Sequence, residues 1–172
     1  NAFPEKRILV INSDHAEYLP FLCTEDVDIS LDEYKNALGI TLDTATADRV
    51  SNKQIYNCKE VIKIDHHPDV EGYSGLQWID ENKSSASEMV ADFALSLGLE
   101  ITPEAARPIY LGMVTDSGRF RFRSVSGDTM RIAGALLDIG IDTDVMYSNL
   151  YIKDFSTVVA DAELHKRIKR TE

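Results

Sequence analysis

The sequence has few cysteines and no long apolar run, and both absences limit what the protein can be. Cys23 and Cys58 are the only cysteines in 172 residues, and they offer neither a disulfide framework nor a metal-ligand spacing. This usage favours a reducing compartment over secretion. No run approaches the roughly 18 consecutive apolar residues of a membrane span, and no basic-then-apolar leader opens the sequence. We therefore expect a cytoplasmic protein without a membrane partner.

The sequence also has few positive charges: it contains 18 Lys and Arg residues and 29 Asp and Glu residues, which gives a net charge of −11. Binding to long duplex nucleic acid relies on cations that neutralise many phosphates, so this balance argues against it. The acidity suits a cation-binding protein, although ordinary soluble proteins are often this acidic. With 44% hydrophobic residues the chain can bury a core, and we expect one domain over residues 1–172.

The order of the predicted elements indicates the fold class. Continuous apolar runs predict buried strands, and capping residues, Pro103, Gly98 and Gly140 mark helix ends. The predicted strands are 6–12, 37–43, 60–65 and 76–79, and the predicted helices are 85–97, 103–115, 127–139, 143–151 and 156–170. Strands that alternate with helices predict a three-layer, Rossmann-like α/β domain, with a largely parallel sheet flanked by helices.

Polar, metal-competent side chains stand at the ends of three apolar segments. Asp65-His66-His67 ends the segment 60–65, Asp43 ends another, and Asp116 ends a predicted helix. Ligands of open α/β sheets collect at the carboxyl ends of strands, and a cation would offset the unfavourable helix dipole at Asp116. We predict that Asp43, His66 and Asp116 bind a divalent metal. Carboxylates with imidazole suit Mn²⁺ best, with Mg²⁺, Co²⁺ or Fe²⁺ also compatible.

Several of these residues also have purely structural interpretations. Asp43 is compatible with a strand-end turn and Asp116 with a cap of the turn at Gly118, whereas paired histidines after a buried strand are harder to explain that way. His15 and His165 lie in polar surroundings, and we expect both at the surface.

Arg119 has the geometry to clamp a phosphate bidentately, or it forms a surface salt bridge. Ser85 is most simply a helix cap, with a phosphate contact at that helix N-terminus as the weaker alternative. The alternation of residues 120–123 predicts a strand with its Phe face buried.

Taken together, these motifs resemble those of the DHH phosphoesterase superfamily, in order and spacing along essentially the whole chain. Asp65-His66-His67 resembles the name-giving motif, and three further segments resemble its neighbours: Leu42 to Arg49, Ser84 to Glu88, and Gly112 to Phe120. The Asp-Thr-Ala-x-x-x-Arg and Lys-Ile-Asp-His-His-Pro runs are most similar to the short-oligonucleotide exoribonucleases (nano-RNases) that also dephosphorylate 3′-phosphoadenosine 5′-phosphate.

The resemblance implies a DHH catalytic domain that hydrolyses small nucleotides with two Mn²⁺ ions. Asp43 would bridge the two ions, and His66 and Asp116 would complete the shell of the second. His67 would contact the scissile phosphate or help to protonate the leaving group, while Asp65 would orient a neighbouring histidine. A hydroxide held by the metals would attack phosphorus. A short oligonucleotide or small nucleotide is the implied substrate, and a homodimer is compatible with the relatives.

Two parts of the family pattern are absent from this sequence: the first motif, with a His and two aspartates, and the small glycine-rich C-terminal domain. We therefore expect residues 1–172 to be a DHH domain truncated at both ends, which alone binds metal weakly and is inactive. Ser117 stands where the family usually has Thr and keeps the hydroxyl.

Other functions remain open within and outside this chemistry. Cyclic dinucleotide hydrolysis and inorganic pyrophosphatase activity use similar motifs. A nucleotide-binding module without catalysis is an alternative from another class. A signalling receiver domain is also acidic and α/β, but it has no use for adjacent histidines.

Overall fold

A computed structural model describes residues 3–11 and 29–168 of the chain. The fold divides into two compact units, Asn1–Asp142 and Thr143–Glu172. The described elements are listed in chain order: α1 Leu31–Asn36, β1 Leu38–Leu42, two short 3₁₀ helices at Ala47–Arg49 and Lys53–Asn57, β2 Glu60–Asp65, β3 Leu76–Ile79, α2 Ala86–Ser96, α3 Pro103–Asp116, α4 Gly127–Asp138, α5 Thr143–Tyr151 and α6 Phe155–Arg167.

The sheet of the first unit is parallel throughout and has the order β1-β2-β3. Ile40 pairs with Ile62, which in turn pairs with Leu76, so β2 is the central strand. The predicted fold class, α/β with a parallel sheet, is confirmed. Because the strands are parallel, the residues that follow β1 and β2 lie at the same edge of the sheet.

The two faces of this sheet differ in chemistry. Side chains alternate along a strand, so residues paired across the sheet share a face. One face carries apolar residues, of which Leu38, Ile40 and Leu42 remain about half exposed. The opposite face carries the row Thr41, Lys63 and Gln77, and Lys63 is fully buried there. A charged residue at the centre of a short sheet needs partners on that face.

The predicted strand at 6–12 is wrong in its described part. Residues 7–11 have no regular structure, and Ile8 and Val10 are mostly exposed. An apolar run becomes a strand only where a neighbouring strand supplies hydrogen-bond partners, and none of the described strands pairs with this run. Asn12, like His15, lies outside the described residues.

The predicted strand at 120–123 is also wrong, because the chain turns there. Gly118, Arg119 and Phe120 have positive φ angles of 58°, 63° and 58°, a left-handed run incompatible with an extended strand. The Ser117 hydroxyl accepts a hydrogen bond from the Phe120 N–H, which closes the turn. The Phe face is not buried: Phe122 is exposed, and Phe120 packs beside Tyr110.

A buried carboxylate fixes the start of α2. Ser85 caps the helix by accepting from the Glu88 N–H, as the sequence predicts. The Glu88 carboxylate reaches one residue further than a capping box requires. Its Oε2 accepts from the Ser84 N–H at 2.8 Å, from the Ser84 hydroxyl at 2.7 Å and from the Thr129 hydroxyl at 3.0 Å. Glu88 therefore joins α2 to the N-terminus of α4 and to the segment before α2.

Close approach of α2 and α3 depends on a glycine. A Cβ placed on Gly112 would lie 2.1 Å from the Ser87 hydroxyl oxygen and 3.0 Å from its Cβ. Only a residue without a side chain lets the two helices pack at this distance, and the contact lies one turn before Asp116. Pro108, inside α3, does not end the helix.

The second unit consists of α5 and α6. Asp154 caps α6 by accepting from the Thr157 N–H at 2.7 Å, and Lys153 pairs with Asp161. His165, Lys166 and Arg167 form the last turn of α6, where positive charge complements the helix dipole. His165 is exposed, as predicted. In the described part of the chain, no helix has the length and apolarity to cross a bilayer.

We expect Gly112→Val to lower the free energy of unfolding by about 2 kcal/mol or more, because overpacking at Ser87 forces α2 and α3 apart. Gly134→Val in α4 is the matched control, since nothing lies within 4 Å of its Cβ position and Val is a slightly better helix former. Urea unfolding of both variants measures the difference. Equal stability of the two variants would show that this close contact is not required.

We expect Glu88→Ala to cost about 3 kcal/mol of unfolding free energy, because it leaves buried Ser84 and Thr129 donors without their acceptor. Asp92→Ala, one turn later in the same helix, removes a part-exposed ion pair with Lys83 and should cost less than about 1 kcal/mol. Thermal unfolding of the two variants compares them directly, and a similar loss in both would contradict the network.

Candidate functional site

Three separate elements bring polar groups to one place at the carboxyl edge of the sheet. Asp43 follows β1, His66 follows β2, and Asp116 is the last residue of α3. His66 Nε2 lies 2.8 Å from Asp116 Oδ2 and 3.3 Å from Asp43 Oδ1. The three residues predicted as metal ligands are therefore adjacent in the fold, although they are far apart in sequence. Their role as ligands stays a prediction.

His67 belongs to the same cluster. One ligand atom each from Asp43, His66 and His67 lies within 4.8 Å of the others, a grouping compatible with a bound cation. His67 Nδ1 is 3.6 Å from Asp43 Oδ1, and the two imidazole rings have centroids 4.5 Å apart. Because β2 ends at Asp65, the alternation of side chains along a strand does not apply to the two histidines, and both rings can approach Asp43.

Both imidazoles are held through their Nδ1 atoms. His66 Nδ1 lies 3.2 Å from the Lys83 carbonyl oxygen, and His67 Nδ1 lies 2.8 Å from Asp65 Oδ1. The same Asp65 oxygen accepts from the His67 backbone N–H at 3.0 Å. An Nδ1–H donated to an oxygen leaves Nε2 available for a cation or a substrate. The position of the buried Asp65 carboxylate agrees with the orienting role implied by the resemblance.

The carboxylates around His66 control its charge. Asp116, and then Asp43, raise the pKa of His66 to about 10, against the opposing effect of burial. The neighbouring His66 ring in turn lowers the pKa of Asp43. Without a cation, His66 is therefore protonated at neutral pH. The positive charge of the imidazolium offsets the repulsion between two carboxylates that share the same edge of the sheet.

The donor set fits a divalent cation on the geometry of this structure. The buried His66 Nε2 and Asp116 Oδ2 face each other, yet neither makes a hydrogen bond of suitable geometry within the described ranges. Buried polar atoms normally have a partner. A cation bound by these two atoms and by Asp43 would satisfy both and would replace the proton on His66.

The backbone at Asp43 is strained. Asp43 has a φ angle of 58°, in the left-handed region that Asp tolerates better than most residues. Its N–H still donates to the Ile64 carbonyl, and the Thr44 hydroxyl donates to the Leu42 carbonyl. Strained residues of this kind often mark functional sites.

A cavity of about 330 Å³ opens beside Asp43 and Asp116, between α2 and α3. One part of its wall is polar, including Thr115 and Ser87, and another part is apolar, formed by Leu42, Val90, Pro108 and Ile109. Ser85 lines this cavity, but its hydroxyl is used as the cap of α2. The capping interpretation of Ser85 is thus observed, and a phosphate contact stays a prediction.

Arg119 lies three residues beyond Asp116, in the left-handed turn, and is exposed. Its position is compatible with both alternatives drawn from the sequence, a phosphate clamp or a surface ion pair, and its catalytic role stays a prediction.

Sequence reasoning gave no supporting role in the site to three residues that have one, Lys63, Lys83 and Glu88, although Glu88 belongs to the Ser84–Glu88 motif. The signal for Lys63 was a lone cation inside the apolar run of β2, and for Glu88 an acid among small residues at the start of α2. Lys83 acts through its backbone carbonyl, which no sequence pattern reveals.

Comparison with known proteins identifies relatives of similar sequence. No family model matches the chain. The chain is 39% identical over 140 residues to a Streptococcus mutans protein named as a probable bifunctional oligoribonuclease and PAP phosphatase NrnA, an alignment that covers 81% of this chain and 44% of that protein. It is 30% identical to the bifunctional oligoribonuclease and PAP phosphatase NrnA of Bacillus subtilis, covering 99% of this chain and 55% of that protein. The chain thus spans about half the length of these relatives.

Among solved structures, the fold is similar to an exopolyphosphatase-related protein from Bacteroides fragilis. The TM-score is 0.74 at 26% sequence identity, and the match covers 80% of this chain and 42% of that one. These similarities confirm the resemblance drawn from the motifs: the chain is a homologue of the bifunctional oligoribonucleases and PAP phosphatases of the DHH phosphoesterase superfamily.

Proposed function

We propose that the whole protein is a metal-dependent phosphoesterase that hydrolyses phosphoester bonds of small nucleotides, such as short oligoribonucleotides and 3′-phosphoadenosine 5′-phosphate. The observation that carries this proposal is the convergence of Asp43 and Asp116 on Nε2 of His66. The names of the relatives support the same substrate class. Cytoplasmic location and a homodimer belong to the proposal as well.

Asp43, His66 and Asp116 would hold the metal, for which we propose Mn²⁺, with a second ion in the whole protein and Mg²⁺ or Co²⁺ as substitutes. When bound, the metal would polarise a phosphoryl oxygen and lower the pKa of a bound water. Carboxylate oxygen and imidazole nitrogen in one shell favour Mn²⁺ over Ca²⁺ or a structural zinc site.

His67 is the residue best placed to act on the substrate. Asp65 holds its Nδ1, so Nε2 faces outward. In the proposed reaction Nε2 contacts the scissile phosphate or donates a proton to the leaving oxygen as the P–O bond breaks. Arg119 would bind a phosphate oxygen, and the N-terminus of α2 at Ser85 would add a weaker contact.

The cavity favours an organic substrate over inorganic pyrophosphate. Its apolar wall, with Leu42, Val90 and Ile109, can contact a nucleoside whose phosphate lies beside Asp43 and Asp116. Pyrophosphate has no apolar part to use this wall. Cyclic dinucleotide hydrolysis, with the same chemistry, is the second candidate, and a nucleotide-binding module without catalysis is the alternative from another class.

We expect the affinity of this chain for Mn²⁺ to be weak and to rise about tenfold per pH unit between pH 6 and 9. The pKa of His66 is raised to about 10, so the metal-free site carries a proton throughout this range, and each bound cation must displace it. Calorimetric titration in buffers of different ionisation enthalpy measures both affinity and proton release.

His66→Ala should abolish this binding and its pH dependence, while His165→Ala on the exposed face of α6 serves as the control and should change neither. Affinity independent of pH would contradict displacement of a proton from His66. Tight binding of two ions with turnover by this chain alone would contradict the expected weakness.

We expect the whole protein to hydrolyse short oligoribonucleotides and 3′-phosphoadenosine 5′-phosphate faster than cyclic di-adenylate or pyrophosphate, in one assay with Mn²⁺. Asp116→Asn should lower kcat/KM by about 100-fold or more. The substitution removes one carboxylate from the proposed metal site and also removes the negative charge beside His66. Asp138→Asn is the matched control, because Asp138 also ends a helix but is exposed. Pyrophosphate as the preferred substrate would favour the alternative function.

A further inference from the structure

A buried lysine, Lys63, contacts both the loop that follows Asp43 and the Asp65 carboxylate behind His67. Lys63 lies in the middle of β2 with no exposed surface, and its ammonium is 2.9 Å from the Ala45 carbonyl oxygen. We propose that Lys63 is a positioning residue for the phosphoesterase site, which fixes Asp43 and His67 relative to each other. This inference rests on the proposed function, and it assigns a role that the metal ligands themselves do not supply.

The ammonium of Lys63 compensates the charge of a buried carboxylate, Asp65. Asp65 is fully buried, and its Oδ2 has no hydrogen-bond partner in the described part of the chain. Lys63 Nζ lies 4.0 Å from this oxygen and 3.7 Å from Oδ1 of the part-exposed Asp69. A buried carboxylate without a nearby cation is strongly unfavourable. Lys63 therefore lets Asp65 stay in place behind His67 with its other oxygen, Oδ1, on the imidazole.

The ammonium of Lys63 also supports the loop after β1. Lys63 donates to the Ala45 carbonyl, and its ammonium sits 4.9 Å from the ring centre of Tyr73. The Tyr73 hydroxyl donates to the Thr44 carbonyl at 2.8 Å and contacts the Thr41 hydroxyl at 3.1 Å. The two residues that follow Asp43 are thus held by a lysine and a tyrosine that touch each other.

These contacts are made to the two residues that follow Asp43, whose backbone is strained. Asp43 adopts a left-handed conformation that the surrounding structure must hold in place. The Lys63 ammonium is the group that contacts both the loop carrying Asp43 and the carboxylate behind His67. The geometry therefore makes Lys63 a shared support for a metal ligand on one strand and a catalytic imidazole on the next.

The test is Lys63→Met in the whole protein, which keeps most of the length of the unbranched side chain and removes its ammonium group and its charge. We expect Mn²⁺ affinity to fall by about 10-fold to 100-fold. We also expect the low-field NMR signal of the His67 Nδ1–H, held by Asp65, to be lost at temperatures where the variant is folded. kcat should fall more than KM rises, because His67 acts on the reacting phosphate.

Lys53→Met is the control, since Lys53 donates to the Ala47 and Asp48 carbonyls of the neighbouring turn but does not contact Asp65.

Unchanged Mn²⁺ affinity and an unchanged His67 signal in a folded Lys63→Met variant would overturn the proposal, as would equal effects in Lys53→Met. If Lys63→Met does not fold, the double variant Lys63→Met with Asp65→Asn decides: recovery of folding supports charge compensation of Asp65, and failure of both reduces Lys63 to a structural role. The binding and NMR measurements need no turnover. Lack of hydrolysis by the unmodified protein would therefore contradict the proposed function and leave this test intact.

Discussion

The contact of two carboxylates with one imidazole nitrogen is the interaction on which the site depends. Asp43 and Asp116 both approach Nε2 of His66, and like charges at this distance repel each other unless a positive charge lies between them. In the metal-free protein a proton on His66 supplies that charge. A divalent cation supplies more of it, so the same geometry that raises the pKa of His66 also favours metal binding.

Buried charges behind the cluster hold it in shape. Lys63 and Asp65 are residues of β2 with no exposed surface, and Glu88 fixes the segment whose Lys83 carbonyl faces His66. Each of these groups is unfavourable in isolation and stabilising only with its partners in place. The loops that carry the residues of the site are therefore joined by hydrogen bonds to polar groups in the interior.

Much of this organisation is visible in the sequence. The apolar runs of β1, β2 and β3, the cap at Ser85 and the helices that start at Pro103 and Gly127 follow from local patterns, and the structure has them within one or two residues. The parallel order places Asp43 and His66 at one edge of the sheet. The paired histidines predict a metal site, and the structure places both beside Asp43, while metal binding itself stays a prediction.

The sequence by itself determined most of the elements and the kinds of side chain at the candidate site, while the tertiary structure decided which groups meet. The run at 6–12 has the composition of a strand, but strand formation needs a partner, and residues 7–11 have none among the described strands. Residues 120–123 alternate like a strand, yet the left-handed turn from Gly118 to Phe120 prevents it. The roles of Lys63, Glu88 and the Lys83 carbonyl depend on contacts between distant segments. Such contacts arise only when the sheet and helices pack, so local patterns can draw attention to Lys63 and Glu88 but cannot identify their partners.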